Sequence, residues 1–165
     1  MARRLRWSCN SSQLQLQTKT KNTRSCLTPA ASRDTLAIVN LDRARESLKA
    51  AELCLREGLV NSAASRAYYA MFQVAQVALK AAGTAPGSEK SHYRLQAAFV
   101  TELIHRRKIY PSIFREYLSS GLIVRQSADY GQAGVSKKIA QRLVHRAASF
   151  VTAVEEKAHH GSRAE

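Results

Sequence analysis

The chain's 165 residues suffice for one hydrophobic core, and a composition that is 45% hydrophobic places it among globular rather than disordered proteins. Lys and Arg number 26 against 12 Asp and Glu, a net charge of +14 that favours polyanionic partners, RNA among them. Cys9, Cys26 and Cys54 lack paired spacing and the five histidines are scattered, so no metal site and no cofactor is expected. No apolar run reaches the roughly 18 residues of a membrane span, and the expected setting is reduced and cytoplasmic.

Residues 1–33 hold seven Lys/Arg and no acid, with Ser, Thr, Asn and Gln but little apolar periodicity. Such a segment buries too little surface to offset its ordering entropy, which predicts a disordered basic arm. Its Arg- and Ser-rich, acid-poor makeup resembles an organelle transit peptide. A dispensable arm and a start codon assigned too far upstream are the other readings. Residues 34–158 read as the folded unit and 159–165 as a disordered tail.

From about Thr35 the chain predicts helices. Leu41, Ala44, Leu48, Ala51 and Leu55 recur at spacings of three and four, one buried stripe that Gly58 ends. Asn61-Ser62 is a natural start for the second helix, about Ser62–Ala82, so the first two form an antiparallel hairpin. That second helix is apolar on most sides, which predicts a place at the centre of a bundle or in an interface. Gly83-Thr84-Ala85-Pro86-Gly87 is a loop.

A third helix over about Glu89–Arg106 is expected to bury Leu95, Phe99 and Leu103. Pro111 opens a fourth that runs to Tyr130. After Gly131 and Gly134, Ser136 can cap a fifth to about Lys157, burying Ile139, Leu143, Ala147, Phe150 and Val154. No segment alternates like a strand. The expected architecture is all-α, a mostly up-and-down bundle of four long helices and one shorter.

The fourth helix ends in Arg125-Gln126-Ser127-Ala128-Asp129-Tyr130-Gly131. At 100° per residue Arg125 falls about 20° from Leu118, along the centre of the apolar stripe, where an arginine must be paired or wet. Asp129, one turn on, is the obvious partner, in the less favourable order for a helical ion pair. Tyr130 falls about 120° from Leu118, well away from Arg125. For the two to converge on one ligand would require a break in the helix before Gly131 or a second subunit.

Four stretches carry a family resemblance: Ser65-Arg66-Ala67-Tyr68-Tyr69-Ala70-Met71-Phe72, Lys90-Ser91-His92, Arg125 to Gly131, and the stretch 147–154 in the last helix. In order and spacing they resemble the small prokaryotic HEPN-domain proteins, over roughly residues 36–157. The resemblance implies a homodimer of helical bundles with a polar motif near the interface. It also implies an endoribonuclease toxin that needs no metal, encoded beside a minimal nucleotidyltransferase antitoxin. The family's usual site is an Arg, four to six residues, then a His. Here four residues after Arg125 lead to Tyr130.

That departure has chemical weight. Cleaving RNA without metal needs a group to take the 2′-hydroxyl proton and a cation to steady the charged phosphorane. Arg125 suits the second role, since its planar fork matches phosphate oxygens. Tyr130, with a reference pKa of about 10, is a poor base but can donate a hydrogen bond. His92, at a position where the relatives often carry a histidine, is the candidate for proton transfer; a helix-start cap is the alternative. Asp129, Arg66 and Tyr69 are binding or orienting candidates, with packing the competing role for Arg66, Tyr68 and Tyr69. The cluster His105-Arg106-Arg107-Lys108 can meet RNA backbone or simply be a solvated helix end. Two further readings stand beside the ribonuclease: a noncatalytic dimer that binds a nucleotide or a protein, and Tyr130 as a target of the partner transferase.

Overall fold

A computed structural model describes the backbone of residues 33–84 and 91–161, and the side chains of 41–84 and 91–158. The basic arm up to residue 32, the loop segment 85–90 with Glu89 and Lys90, and the side chains of the tail histidines lie outside the described residues. Among those described, the order is α1 (Arg33–Arg56), α2 (Val60–Ala81), α3 (His92–Ala98), a π-helical continuation (Phe99–Arg106), α4 (Ile113–Tyr130) and α5 (Lys137–Gly161). The fold is all-α, as the periodicity predicts.

α2 is the axis. Ala63, Ala64, Ala67, Ala70, Ala75 and Ala78 are buried on it beside Tyr68, Met71, Val74 and Leu79. Small side chains distributed around one helix let α1, α4 and α5 all approach its backbone, which is why the sequence is apolar on most sides. α1 lies against it through a three-residue turn. There Gly58 takes φ 75°, and the Leu59 and Gly58 N–H groups return to the Cys54 and Leu55 carbonyls. Gly83, φ 71°, closes α2 by the same pair of bonds, to Leu79 and Lys80. This left-handed ending satisfies carbonyls that a helix end otherwise leaves open. Polar locks fix the register: the buried Ser47 donates to Gln73 at 2.8 Å, and Arg45 reaches Glu155 at 2.7 Å.

α4 packs tightly on α2 at Gly121. A Cβ there would stand 2.7 Å from Met71 Cε and 3.2 Å from the Tyr68 ring. Glycine in mid-helix is thus explained by packing rather than by flexibility.

The structure differs from the expectation in three places. α2 begins at Val60, two residues early, and Asn61 does not cap it: the Asn61 Oδ1 accepts the Val135 N–H at 2.8 Å and pins the α4–α5 turn. Gly134 (φ 65°) is needed beneath it, since a Cβ would collide with the Asn61 amide. The third helix is two geometries in series. Ser91 caps α3 by accepting the Arg94 N–H, and beyond Ala98 the turns widen to i→i+5, as in Arg107 N–H to Glu102 at 3.0 Å. Leu95, Phe99 and Leu103 are buried as expected.

On α5 the buried stripe is Ala140, Leu143, Val144, Ala147, Phe150, Val151 and Val154, and Ile139 is 37% exposed. It stands a residue off that stripe, facing a shallow groove toward α4. α5 also runs to Gly161, past the expected end.

Phe99, Tyr110, Phe114 and Phe150 stack into one aromatic cluster at the amino end of α4, with ring centroids 4.5–6.2 Å apart. At the other end of α4 the rings meet polar groups instead.

Candidate functional site

α4 is continuous through Tyr130 and closes with the Gly131 N–H on the Ser127 carbonyl, 3.0 Å. Five residues before its end, Arg125 turns its guanidinium back toward α2. The side chain is 15% exposed. The guanidinium carbon lies 5.3 Å from the centre of the Tyr69 ring and 5.6 Å from that of Tyr130. Its Nη2 donates to the Tyr69 hydroxyl at 3.0 Å.

Asp129 Oδ2 stands 2.7 Å from Nε, so the expected ion pair is present. The contact is not a hydrogen bond, however, and the buried Nε–H has no acceptor among the described residues. Asp129 also receives the Ser65 hydroxyl at 3.4 Å. A carboxylate in the last turn opposes the helix dipole, so tertiary partners, not local propensity, hold Asp129 there.

Burial works against the Arg125 charge, but Tyr69, Asp129 and Tyr130 outweigh it and raise the arginine above its ordinary value. It is a permanent cation whose side chain is mostly covered by its neighbours, at the edge of solvent.

His92 opens α3 on the other side of Tyr69. Its ring lies 4.6 Å from Phe72, 5.5 Å from Tyr68 and 6.3 Å from Tyr69, centroid to centroid. Nδ1 is 2.9 Å from the Tyr68 hydroxyl. Burial, and then the charge of Arg125, lower the His92 pKa from its usual value of about 6.5, so the imidazole is neutral at pH 7. Tyr68 is fully buried, and burial raises its phenol to about 12.

Of the residues expected to form a site, Arg125, Asp129, Tyr69, Tyr130 and His92 come together around Tyr69. Arg66 does not join them: it is exposed, with no bonding partner among the described residues, although it sits one turn before Tyr69. The expectation that Tyr130 lies well away from Arg125 on a continuous helix is corrected: the guanidinium reaches its ring without a break in α4. Helical angles describe where Cβ atoms point, and an arginine side chain is long enough to swing across the turn to the ring.

Three participants were assigned no role by the sequence reading, or only packing: Ser65, Tyr68 and Gln96. A signal for two of them was available. Ser65/Tyr69, His92/Gln96 and Arg125/Asp129 are each spaced i,i+4, so each helix presents a polar pair on one face. No group of three or more metal-ligating side chains occurs among the described residues, and no helix there is long and apolar enough to cross a membrane.

A family model described as HEPN domain matches residues 39–157. A UPF0332 protein of Gloeobacter violaceus is 34% identical over 113 residues, covering 67% of this chain and 86% of that protein. A Methanocaldococcus jannaschii protein named "Putative toxin MJ0142" is 29% identical over 112 residues, covering 67% of this chain and 74% of that one.

Proposed function

The chain belongs to the HEPN family, and from that premise we propose that it is an RNA-directed, metal-independent endoribonuclease-type toxin. In this reading it works in the cytoplasm as a homodimer, paired with a minimal nucleotidyltransferase antitoxin. One observation carries the reading: Arg125 is a mostly covered, permanently charged guanidinium set between two phenols, and its charge is felt at the His92 imidazole. That is the environment in which a cation stabilises a phosphorane most strongly. Tyr130, 76% exposed, is free to donate a hydrogen bond to a phosphate oxygen, and His92 is the group in the cluster suited to proton exchange. The toxin name of one relative supports the reading, and so does the net charge of +14, which draws RNA backbone.

The dimer has its own support. Ile123 is 64% exposed and lies seven residues before Tyr130, so the outer face of α4 presents an apolar and an aromatic group two turns apart. Two copies joined across that face bring their polar clusters close to one another.

A second reading, a noncatalytic dimer that binds nucleotide or protein, is favoured by two observations. Tyr130 stands where the family carries histidine, and His92 already has Nδ1 engaged and a lowered pKa. Incubating the protein with RNA in the presence of a chelator separates the two. Cleavage that falls about 10²–10³-fold in Arg125→Ala, with helical circular dichroism and sedimentation unchanged, supports the enzyme. Binding without cleavage by the wild-type chain supports the second reading. Loss of fold in Arg125→Ala marks the Arg125–Asp129 pair as structural. The exposed Tyr130 phenol is also open to nucleotide transfer by the partner, and an unchanged intact mass after coexpression would exclude that.

A further inference from the structure

We infer that Gln96 and Tyr68 are positioning residues that lock His92 in one neutral tautomer, with Nδ1 bare and the proton on Nε2, so that His92 faces the site as a hydrogen-bond donor. Gln96 approaches the Leu118 carbonyl oxygen at 3.2 Å, and a carbonyl can only accept, so the end of the amide that faces it is the NH₂ group. The same nitrogen lies 3.4 Å from the Tyr68 hydroxyl oxygen. Its two hydrogens thus have two acceptors, and the Tyr68 oxygen receives one of them.

Tyr68 is fully buried, so its own O–H needs a partner. Among the described residues the acceptor in reach is His92 Nδ1, at 2.9 Å. Were Nδ1 protonated, two hydrogens would point at the phenol oxygen's side of the contact, and the Tyr68 proton would be buried without an acceptor. The satisfied arrangement runs one way: Gln96 N–H to Tyr68 O, Tyr68 O–H to His92 Nδ1, leaving the proton on Nε2.

The groups around His92 act in the same sense. Tyr68, Tyr69 and Phe72 pack on the ring and Arg125 adds positive charge, all of which disfavour the imidazolium. Resting on the ribonuclease reading, the consequence concerns how substrate is held: before any proton moves, His92 offers its Nε2–H as a hydrogen-bond donor to a phosphate oxygen of bound RNA.

The tautomer is measurable without any activity. Long-range proton–nitrogen correlation spectra of isotope-labelled protein at pH 7 distinguish bare from protonated ring nitrogens, and His92→Gln assigns the signals among the five histidines. The expected result is an unprotonated Nδ1 and a protonated Nε2 for His92. Tyr68→Phe removes the O–H that needs Nδ1 as its acceptor, so the His92 signals move toward a mixture of tautomers. Gln96→Leu removes only the N–H that directs this O–H toward His92, and moves the signals the same way by less.

A protonated Nδ1 in the wild-type protein overturns the inference whether or not the variants fold. So does an unchanged tautomer in a folded Gln96→Leu or Tyr68→Phe. Adding an oligonucleotide with 2′-O-methyl riboses, which cannot be cleaved, then tests the consequence. A shift of the Nε2–H signal supports donation to phosphate. The expected tautomer with no shift sinks the ribonuclease reading and leaves the relay standing.

Discussion

At the amino end of α4, Phe114 packs on Phe150 with centroids 4.5 Å apart, Tyr110 and Phe99 complete the stack, and the rings are held by apolar contact. Toward the other end of the same helix, Tyr68 and Tyr69 of α2 also pack against it, but each spends its hydroxyl on a neighbour, His92 for one and Arg125 for the other. The two ends show two ways of burying a tyrosine. Tyr110 is raised to about 12 by burial alone, whereas Tyr68 reaches about the same value with Gln96 and Arg125 pulling the other way. A ring cluster of the first kind stabilises and does little else. A cluster of the second kind holds charge and protons in fixed places, which is what a site requires.

If that contrast is right, damage at the two ends should differ in kind. Phe114→Ala is expected to have the largest effect on stability, about 3–5 kcal/mol read from the urea midpoint, because it empties a volume that three other rings line. Asp129→Ala should be milder, about 1–3 kcal/mol, since it leaves the Arg125 charge largely desolvated and without its carboxylate. Equal losses from the two variants would break the comparison, for the polar end would then be carrying the fold. Tyr69→Phe keeps the ring against the guanidinium and removes only the acceptor of Nη2, so about 0.5–1.5 kcal/mol is expected.

The smallest effect sharpens the contrast by pH. His92 has a folded pKa below its unfolded value, so the folded state binds fewer protons than the unfolded one. Its contribution is fully present above about pH 6.5 and is lost as pH falls through the folded value. His92→Gln should flatten the slope of the urea midpoint between neutral pH and the range where carboxylates titrate; Phe114→Ala should leave the slope alone. In alkali the ends behave alike. Tyr68 and Tyr110 both titrate higher in the folded state, so their contribution holds below about pH 10 and is lost as pH rises through about 12.

Much of this was legible in the residues. Leu41, Ala44, Leu48, Ala51 and Leu55 repeat with the helical period because one face of α1 must meet α2, and that requirement survives any detail of packing. The Arg125–Asp129 pair was legible for the same reason: both lie on one face of one helix, and a cation in an apolar stripe needs a partner close by. Ile139 was misplaced because a stripe can be drawn through either of two adjacent residues at the start of a helix. Only the contact with α2 selected Ala140. The widened turns from Phe99 to Arg106 left no mark on the pattern of Leu95, Phe99 and Leu103, whose spacing suits either geometry.

What depended on tertiary structure is what gives the polar cluster its chemistry. Periodicity within a helix determines which residues share a face, and so the sequence alone determined an all-α bundle, its core and a buried arginine with its carboxylate. The distance between side-chain ends on different helices depends on how deeply the helices approach, and here that was decided by a glycine at 121 and a run of alanines on α2. Those contacts brought Tyr69 to Arg125 and Gln96 to Tyr68, and side-chain reach carried Arg125 to Tyr130. Backbone periodicity encodes direction, but proximity and proton placement exist only once the helices are packed.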